Sequence, residues 1–370
     1  RKMRELLLGL AVCDGVGWKT ISFLLTNGLD ESGFDLTPAQ WQREFGKLSQ
    51  KQVQALSETL KRDKMRDYQA YLRQKRIKYL TYFDSMYPPL LKEVFQPPWV
   101  LFLRGDRSLL NHPSLAVVGT RKASSYGKMA IKTLIPNLVE KGLSIVSGMA
   151  LGIDTLAHEA ALESDGRTVA ILGSGIDVIY PRQNRGLYER LLRKGLVVSE
   201  YPPETPPHPG FFPQRNRIIA GLSYGVLVVE AAHKSGSLIT AQIALESGRE
   251  VFAVPGSIFS DHSVGTNRLI QQQGGKLVLS AEDIWEELAP QIPPFQLARK
   301  DQAGGKHSPP LEHKEKIILE LMESEKVHIN ELHRLSGWPL AQISQILIKL
   351  EMKKYIEALP GSYYQRLKSL

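Results

Sequence analysis

Seven short, continuous apolar runs in the middle of the chain constrain its fold more than any other feature. Each run is aliphatic and β-branched without polar alternation, as expected for strands of a parallel sheet buried on both faces. Segments long enough for crossover helices separate the runs. They are Leu115–Val118, Ser144–Val146, Thr168–Leu172, Leu196–Val198, Val226–Val229, Val251–Val254 and Leu277–Leu279. The pattern predicts an α/β fold whose core is a Rossmann-like, doubly wound, mostly parallel sheet from about 113 to 290.

The first 76 residues have a helical pattern instead. Apolar residues recur at helical spacing in Glu5–Leu10 and Val53–Leu60, with glycine turns between them. The turn Gly15–Thr20 precedes an apolar helix at Ile21–Leu25, the pattern of a helix-hairpin-helix. Residues 1–76 are therefore predicted to form a helical domain of the SAM or helix-hairpin-helix kind. A structural role for the turn is favoured over a phosphate contact, because turns require glycine in any case.

Proline-rich segments mark the ends of the central region. Tyr87–Pro98 leads into the sheet, so the core domain is taken as 77–290, and a polar Pro/Gly stretch predicts a linker at 291–312. Residues 313–370 contain three helical patterns and the hairpin Ala358–Tyr364, which together predict a winged helix. Such a domain binds DNA or protein, and the sequence leaves both uses open. The second helix of its helix-turn-helix, Leu340–Leu350, carries polar side chains but only one cation, Lys349, whereas a helix that reads DNA usually carries more positive charge.

Composition restricts the possible partners. The net charge of +9 favours a polyanion such as nucleic acid. The single cysteine, Cys13, excludes an internal disulfide, and no spacing of Cys, His, Asp and Glu resembles a zinc site. No apolar run has the ~20 residues that a membrane-spanning helix needs. We therefore expect a cytoplasmic protein with no metal, no cofactor and no membrane contact.

Ligands of such sheets bind outside the carboxyl ends of the strands, where the loops here are polar and glycine-rich. The loop Gly119–Gly127 opens a helix, and its Arg121 together with helix N–H groups suits a phosphate. The small-residue loop Ser147–Asp154 follows the second run. The loop Gly173–Arg185 follows the third, and it brings Arg182 and Arg185 to the same rim if neighbouring strands follow chain order.

Two further groups of polar residues have alternative interpretations. Arg215, Asn216 and Arg217 could hold phosphate, or the arginines could form structural salt bridges with Glu200 or Glu230. Asp154 and His158 are spaced as an acid/base pair would be. A helix-capping aspartate and a hydrogen-bonded packing histidine are the favoured interpretation of that pair.

Several of these segments, in fixed order, resemble the DNA processing protein A family, also called DprA or Smf. The resemblance covers about 80–290. It rests on Gly119–Arg121, Ser147–Asp154 with His158, Tyr180–Pro181, Phe212–Leu222, Ser235–Thr240 and Val254–Gly256. The flanking helical and winged-helix segments also resemble the family's architecture, with less distinctive sequence.

This resemblance implies a homodimer that is not an enzyme, binds and protects single-stranded DNA on the core, and helps load the recombinase RecA during natural transformation. By position, Arg121 and Arg182 are the principal phosphate contacts, and the loop glycines let the strand approach. The expected DNA-binding set is Gly119, Arg121, Lys122, Ser124, Ser147, Gly148, Gly175, Arg182, Asn184, Arg185, Arg215, Asn216 and Arg217. Leu151 departs from the family, where its position is often basic. The expected dimer surface is Leu269, Ile270 and Leu277.

Two other functions compete with this hypothesis. A nucleotide-processing hydrolase of the related Rossmann-like superfamily would carry a Pro-Gly-Gly-x-Gly-Thr loop, but Ser235–Thr240 stands at that place, with Glu246 as a nearby carboxylate. A transcriptional regulator would read duplex DNA through the winged helix.

Overall fold

The computed structural model describes residues 2–293, 296, 313–322, 326–352 and 355–366. The chain divides into two compact units, Arg1–Lys300 and Asp301–Leu370. Most of the predicted linker, 291–312, lies outside the described residues.

The amino-terminal region is helical, as predicted. Its helices are α1 (Lys2–Val12), α2 (Trp18–Thr26), α3 (Pro38–Glu44), α4 (Gln50–Thr59) and α5 (Arg62–Gln74). Thr37 and Ser49 cap α3 and α4 through reciprocal side-chain and backbone hydrogen bonds with the glutamines three residues on. The buried side chains of these helices share one core with the sheet, including Phe102 and Leu172. This region is therefore packed into the first unit.

The described part of the first unit contains a nine-stranded sheet in the order β1-β2-β6-β5-β4-β3-β7-β8-β9. The strands are β1 (Lys78–Thr81), β2 (Val100–Gly105), β3 (Ser114–Val118), β4 (Ser144–Ser147), β5 (Thr168–Leu172), β6 (Leu196–Ser199), β7 (Gly225–Val228), β8 (Glu250–Ala253) and β9 (Lys276–Leu277). Strands β3 to β9 are parallel. Six of the seven apolar runs coincide with β3 to β8, and the seventh overlaps β9 at Leu277, so the predicted doubly wound sheet is confirmed.

Helices cover both faces of this sheet. They are α6 (Pro89–Lys92), α7 (Ser125–Glu140), α8 (Ile153–Glu163), α9 (Arg185–Lys194), α10 (Phe211–Gly221), α11 (Gly236–Glu246), α12 (Val264–Gln271) and α13 (Ala281–Leu288). Alternate residues of β3 enter opposite cores: Leu115 and Val117 pack with α7 and α8, whereas Ala116 and Val118 pack with α10 and α11. Burial on both faces explains why the strand sequences do not alternate with polar residues.

Strands β1 and β2 were not predicted. They extend the sheet at one edge and pair antiparallel, with Leu80 opposite Leu101 and Phe102 opposite Ser199 of β6. The Arg4 guanidinium donates to the outer carbonyl of Tyr79 (2.5 Å), and the carboxylate of Asp84 accepts from the Thr81 N–H (2.7 Å). Side chains of the same chain thus occupy hydrogen-bonding groups of this edge strand, which protects it from pairing with another strand.

The chain reverses its winding direction at β3, whose neighbours are β4 and β7. The loop after β3 leads to α7 on one face of the sheet, and the loop after β7 leads to α11 on the other. These loops diverge and leave a crevice at the carboxyl edge of the sheet, where ligands of doubly wound folds bind.

The second unit has the predicted winged-helix elements. Its described helices are His313–Leu321, Ile329–Ser336 and Leu340–Met352, and the wing is the pair of strands Ile356–Leu359 and Tyr363–Arg366. Val327–His328 adds a short strand beside Tyr363. Gln345 and Lys349 of the last helix are exposed, and so is Ile348.

Candidate functional site

A cleft of about 660 Å³ opens where the loops after β3 and β7 diverge. We call it the switch-point cleft. Its walls are Val118–Lys122, Ala150, Asp154, Tyr180, Pro209, Phe212, Pro213, Arg215, Asn216, Ile219, Ala232, Ser235–Ser237, Ile239 and Thr240. Five of the segments singled out in the sequence therefore meet at one place.

Arg121 is the exposed cation of this cleft. Its guanidinium carbon lies 5.9 Å from the centre of the Phe212 ring, and the side chain forms no ion pair with any described residue. The next residue, Lys122, is exposed as well. A cation on a ring face keeps its outward N–H donors free for a ligand. The structure thus places Arg121 as the sequence predicts.

Arg215 is also in the cleft wall, but it is buried. Its Nη1 donates to the carbonyls of Gly148 (2.5 Å) and Ile171 (2.6 Å). Burial lowers the pKa of Arg215, while the charge of Asp154 opposes this shift. Arg215 therefore ties the ends of two neighbouring strands together beneath the cleft. A direct phosphate contact, as first predicted, does not fit this arrangement, because Nη1 is bonded to two carbonyls of the chain and Nε to the side chain of Asn216.

Asp154 does not cap α8, contrary to the sequence interpretation. Its carboxylate accepts from the Gly148 N–H (3.1 Å) and so holds the loop that follows β4. Burial raises the pKa of Asp154, opposed by the positive charge of Arg215. The two groups form a buried pair of opposite charge that supports the floor of the cleft.

His158 is a packing residue, as the sequence interpretation favoured. Its ring is fully buried, and Nδ1 lies 2.6 Å from the Thr168 hydroxyl, which itself donates to the Ile145 carbonyl (2.8 Å). The hydroxyl therefore accepts from an Nδ1–H. Burial lowers the pKa of His158 to about 3. Such a histidine is unsuited to proton transfer with a ligand in the cleft.

The amino terminus of α7 is occupied from within. The Glu230 carboxylate, at the end of β7, accepts from the backbone N–H (3.0 Å) and the hydroxyl of Ser124, which caps the helix. The carbonyl of the same Glu230 accepts from the Thr120 N–H (2.8 Å). The prediction that this helix end binds a phosphate is therefore wrong, because a carboxylate of the chain already fills that place.

The loop glycines are required by internal packing. A Cβ on Gly119 would lie 2.6 Å from Ile153, one on Gly148 2.6 Å from the guanidinium carbon of Arg215, and one on Gly175 2.6 Å from the Pro202 carbonyl. These close approaches account for the three glycines without a ligand. Gly175 lies against the loop 202–205 and not in the cleft wall.

Other residues of the predicted set are structural. The buried Ser147 donates to the Val117 carbonyl (2.6 Å), and the buried Asn184 donates to the Met149 carbonyl (2.8 Å) and the Thr155 hydroxyl (2.9 Å). Each joins adjacent loops at the carboxyl edge of the sheet.

Arg217 and Asn216 point to different surroundings although they are adjacent. Arg217 lies outside the cleft and pairs with Glu200 at 2.6 Å, while its Nε donates to the Gln96 carbonyl (2.9 Å). This is the salt-bridge alternative that the sequence left open, so a DNA contact is not assigned to Arg217. Asn216 does line the cleft, where its carbonyl oxygen accepts from Arg215 Nε (3.3 Å).

Arg182 and Arg185 are exposed on the segment that follows Tyr180. Arg182 has no ion-pair partner among the residues that the structure describes. Arg185 lies 3.4 Å from Glu189 one helical turn on, and both side chains are largely exposed, so this pair is weak. Strands β3, β4 and β5 do follow chain order, which brings this segment to the rim as predicted.

The sequence interpretation did not assign Phe212 to the site, although this ring forms part of an aromatic surface in the cleft. The Tyr180 and Phe212 rings lie 5.5 Å apart at 34°, and Tyr180 is 45% exposed. Phe212 lies against the guanidinium groups of both Arg121 and Arg215. Its position in the first turn of a helix at the carboxyl edge of the sheet was the available signal.

Ser235 caps α11 through its side chain, and Gly236 has no protein atom within 4 Å of the position of a Cβ. This helix begins in the cleft wall. The start of α11 is thus more open than the start of α7.

The predicted dimer surface is partly exposed. Leu269 and Ile270 on α12 are half-buried, and Leu277 on the edge strand β9 is 40% exposed. A self-associating surface here stays a prediction.

None of the described helices is long and apolar enough to span a membrane. Among the described residues, no group of three or more His, Cys, Asp or Glu side chains is arranged to hold a metal ion.

Comparison with known proteins gives specific matches. A family model described as DNA recombination-mediator protein A matches residues 78–289, and a DprA winged-helix model matches 304–362. DNA processing protein DprA of Bacillus subtilis is 47% identical over 220 residues, which are 59% of this chain and 74% of that protein. Protein Smf of Escherichia coli is 40% identical over 287 residues, 76% of this chain and 75% of that protein.

Solved structures agree with these sequence matches. DNA processing protein A from Streptococcus pneumoniae superposes with a TM-score of 0.57 at 39% identity, covering 74% of this chain and 98% of that one. The Helicobacter pylori protein, described for its single-stranded DNA binding mode, superposes with a TM-score of 0.53 at 32% identity, covering 58% and 98%.

Proposed function

The chain belongs to the DNA recombination-mediator protein A family, also called DprA or Smf, and we propose that its switch-point cleft binds single-stranded DNA. The Helicobacter pylori relative is described as binding single-stranded DNA, which supports this assignment. The net charge of +9 favours a polyanionic partner.

One observation carries the proposal: an unpaired arginine and two aromatic rings meet in the cleft. Arg121 supplies a positive charge for a phosphate, while Phe212 and Tyr180 supply flat faces for bases. Proteins that bind single strands without reading sequence combine these two elements. In a duplex the base faces are already stacked, so rings of this kind select for a single strand.

Lys122, Arg182 and Arg185 extend the positive surface, and we assign them to phosphates on either side of Arg121. Their exposure leaves them able to follow a flexible backbone. Leu151, at the often basic position, is 39% exposed and offers an apolar contact instead. The buried Arg215, Ser147, Asn184 and Gly148 keep the cleft in shape.

The wider role follows from the family. We propose that the bound strand is protected and passed to the recombinase RecA, as the description of the family as recombination mediators supports. Self-association through Leu269, Ile270 and Leu277 would place two such clefts in one assembly.

Hydrolysis of a nucleotide is the alternative, and the geometry favours binding. Glu246, the carboxylate considered for it, is the last residue of α11, about 9 Å of helix beyond Thr240, the last residue of α11 in the cleft wall. Of the nearer carboxylates, Asp154 is buried against Arg215 and Glu230 is bound to Ser124. We therefore propose a binding protein and not an enzyme.

The test is binding of the Arg121→Ala/Arg182→Ala variant to labelled oligothymidylate and to a duplex of equal length. Loss of two phosphate contacts should weaken single-strand binding at least tenfold and reduce its salt slope by about 1.4, at ~0.7 per contact.

The matched control removes the same charge elsewhere. Arg107 and Arg193 are exposed and lie at the opposite edge of the sheet, beyond the end of β2 and near the end of α9. The Arg107→Ala/Arg193→Ala variant should bind like the wild type. Equal losses in both variants would mean that only net charge matters and would overturn the assignment of the cleft.

A further inference from the structure

A second hollow, of about 710 Å³, lies between the amino-terminal helices and the sheet. Its walls include two aromatic pairs. The Tyr201 and Phe211 rings stack at 4.0 Å, and the Trp18 and Trp99 rings stack at 5.5 Å. All four side chains are half-buried, so ring surface remains open to the hollow. We call it the aromatic hollow.

The aromatic hollow and the switch-point cleft share a wall. Phe211 and Phe212 are the first two residues of α10, and Phe211 lines the hollow whereas Phe212 lines the cleft. Tyr201 follows β6 just as the loop of Tyr180 follows β5, so both openings are at the carboxyl edge of one sheet.

The distance between them suits a flexible chain. Three strand spacings separate β3 from β6, which is about 14 Å at ~4.8 Å per strand. A DNA strand held at Arg121 can therefore reach the aromatic hollow within a few nucleotides.

The chemistry of the hollow suits bases and not phosphates. Its cation Arg217 is neutralised by Glu200 at 2.6 Å, and Asp14 adds negative charge. Gln96 and Gln214 add amide groups. A pocket of this volume, with aromatic faces beside hydrogen-bonding groups, suits a flat heterocycle.

We propose that the aromatic hollow binds bases of the same DNA strand that occupies the switch-point cleft, an inference that rests on the proposed function. The cleft then holds phosphates and the first bases, and the hollow stacks bases farther along the strand. The turn Cys13–Trp18 forms one wall of the hollow. The amino-terminal helical region thereby acquires a direct role in DNA binding.

The experiment compares oligothymidylates of about 2 and about 15 nucleotides, of which only the longer can span the ~14 Å between Arg121 and the aromatic hollow. In Trp18→Ala, loss of one stacking surface should weaken binding of the longer strand about tenfold and leave the shorter strand unchanged. Trp18→Phe retains a ring and should recover most of the affinity. Thermal unfolding of each variant checks the fold.

A second measurement needs no substitution. Oligonucleotides carrying 5-iododeoxyuridine, crosslinked by light to the wild-type chain, should label Trp18, Trp99, Tyr201 or Phe211 when long and not when short. This keeps the inference testable if Trp18→Ala does not fold.

The outcomes are separable. Length-independent binding, with no crosslink in the aromatic hollow, overturns this inference and leaves the cleft intact. Failure of the wild type to bind either length refutes the proposed function and this inference together. Free thymidine can also be added as a competitor of the crosslinking strand. If it prevents labelling of Trp18 as effectively, base for base, as an unlabelled long strand does, the hollow is a nucleoside site and the proposed strand path is wrong.

Discussion

Substitution of Gly148 by alanine tests whether the floor of the cleft is built as described. Gly148 does not have a positive φ, so alanine can adopt its backbone conformation. Its Cβ would lie 2.6 Å from the guanidinium carbon of Arg215 and 2.7 Å from Nη2. The guanidinium must move, and its hydrogen bonds to the carbonyls of Gly148 and Ile171 are lost or stretched.

The cost follows from those two bonds. Hydrogen bonds to a charged group contribute ~1.5–3 kcal/mol each, and loss of both leaves a buried charge poorly satisfied. With partial relaxation we expect a loss of about 3 kcal/mol in the free energy of unfolding. For a unit of about 300 residues that lowers the melting temperature by about 5 °C.

Differential scanning calorimetry of the full chain measures this effect, with Gly236→Ala as the control. Gly236 also lies in the cleft wall, but no protein atom is within 4 Å of its Cβ position, so its melting temperature should barely change. Single-strand binding should weaken in Gly148→Ala, because Arg215 supports the Phe212 ring. A Gly148→Ala protein as stable as the wild type would refute the account of the cleft floor.

Three more outcomes are expected. Phe212→Leu should weaken oligothymidylate binding by ~1–3 kcal/mol through loss of base stacking, measured by fluorescence anisotropy; unchanged affinity would exclude the ring as a base contact. Because folding lowers the pKa of His158, the unfolded chain takes up the proton first, and the free energy of unfolding should fall by up to ~1.4 kcal/mol per pH unit as pH drops below ~6.5. Urea unfolding of His158→Gln should show a shallower dependence of this free energy on pH between pH 6.5 and 4. Parallel pH dependences in the variant and the wild type would contradict this. Leu277→Asp should convert a dimer to a monomer in light scattering, whereas Ile258→Asp, also at an exposed aliphatic residue, should not; a Leu277→Asp dimer would remove β9 from the interface.

Much of the fold could be predicted because its signal is local. Each of β3 to β9 is a run of apolar residues that identifies itself without its neighbours. Strands β1 and β2 escaped prediction because prolines surround them and their antiparallel pairing joins segments far apart in the chain. The helical region was recognised, but its shared core with the sheet was not visible in its own pattern.

The site was predicted less completely, because residues of one type have opposite roles. Arg121 and Arg215 are both arginines in loops or helix starts at the same edge, yet one is exposed and the other is buried against two carbonyls. Glu230 fills the helix end that sequence alone assigns to a phosphate. Phe212 was overlooked as a ligand contact because aromatic residues usually belong to a core.

The sequence by itself determined the parallel sheet, the carboxyl edge with its polar, glycine-rich loops, and the winged helix, since these depend on the order of apolar and turn residues along the chain. Only the tertiary structure decided which charged groups remain available. Pairing of Arg217 with Glu200, or of Ser124 with Glu230, depends on segments that meet through folding. Because a paired or buried charge has already exchanged water for protein partners, its identity in the sequence does not reveal whether it can still bind a ligand.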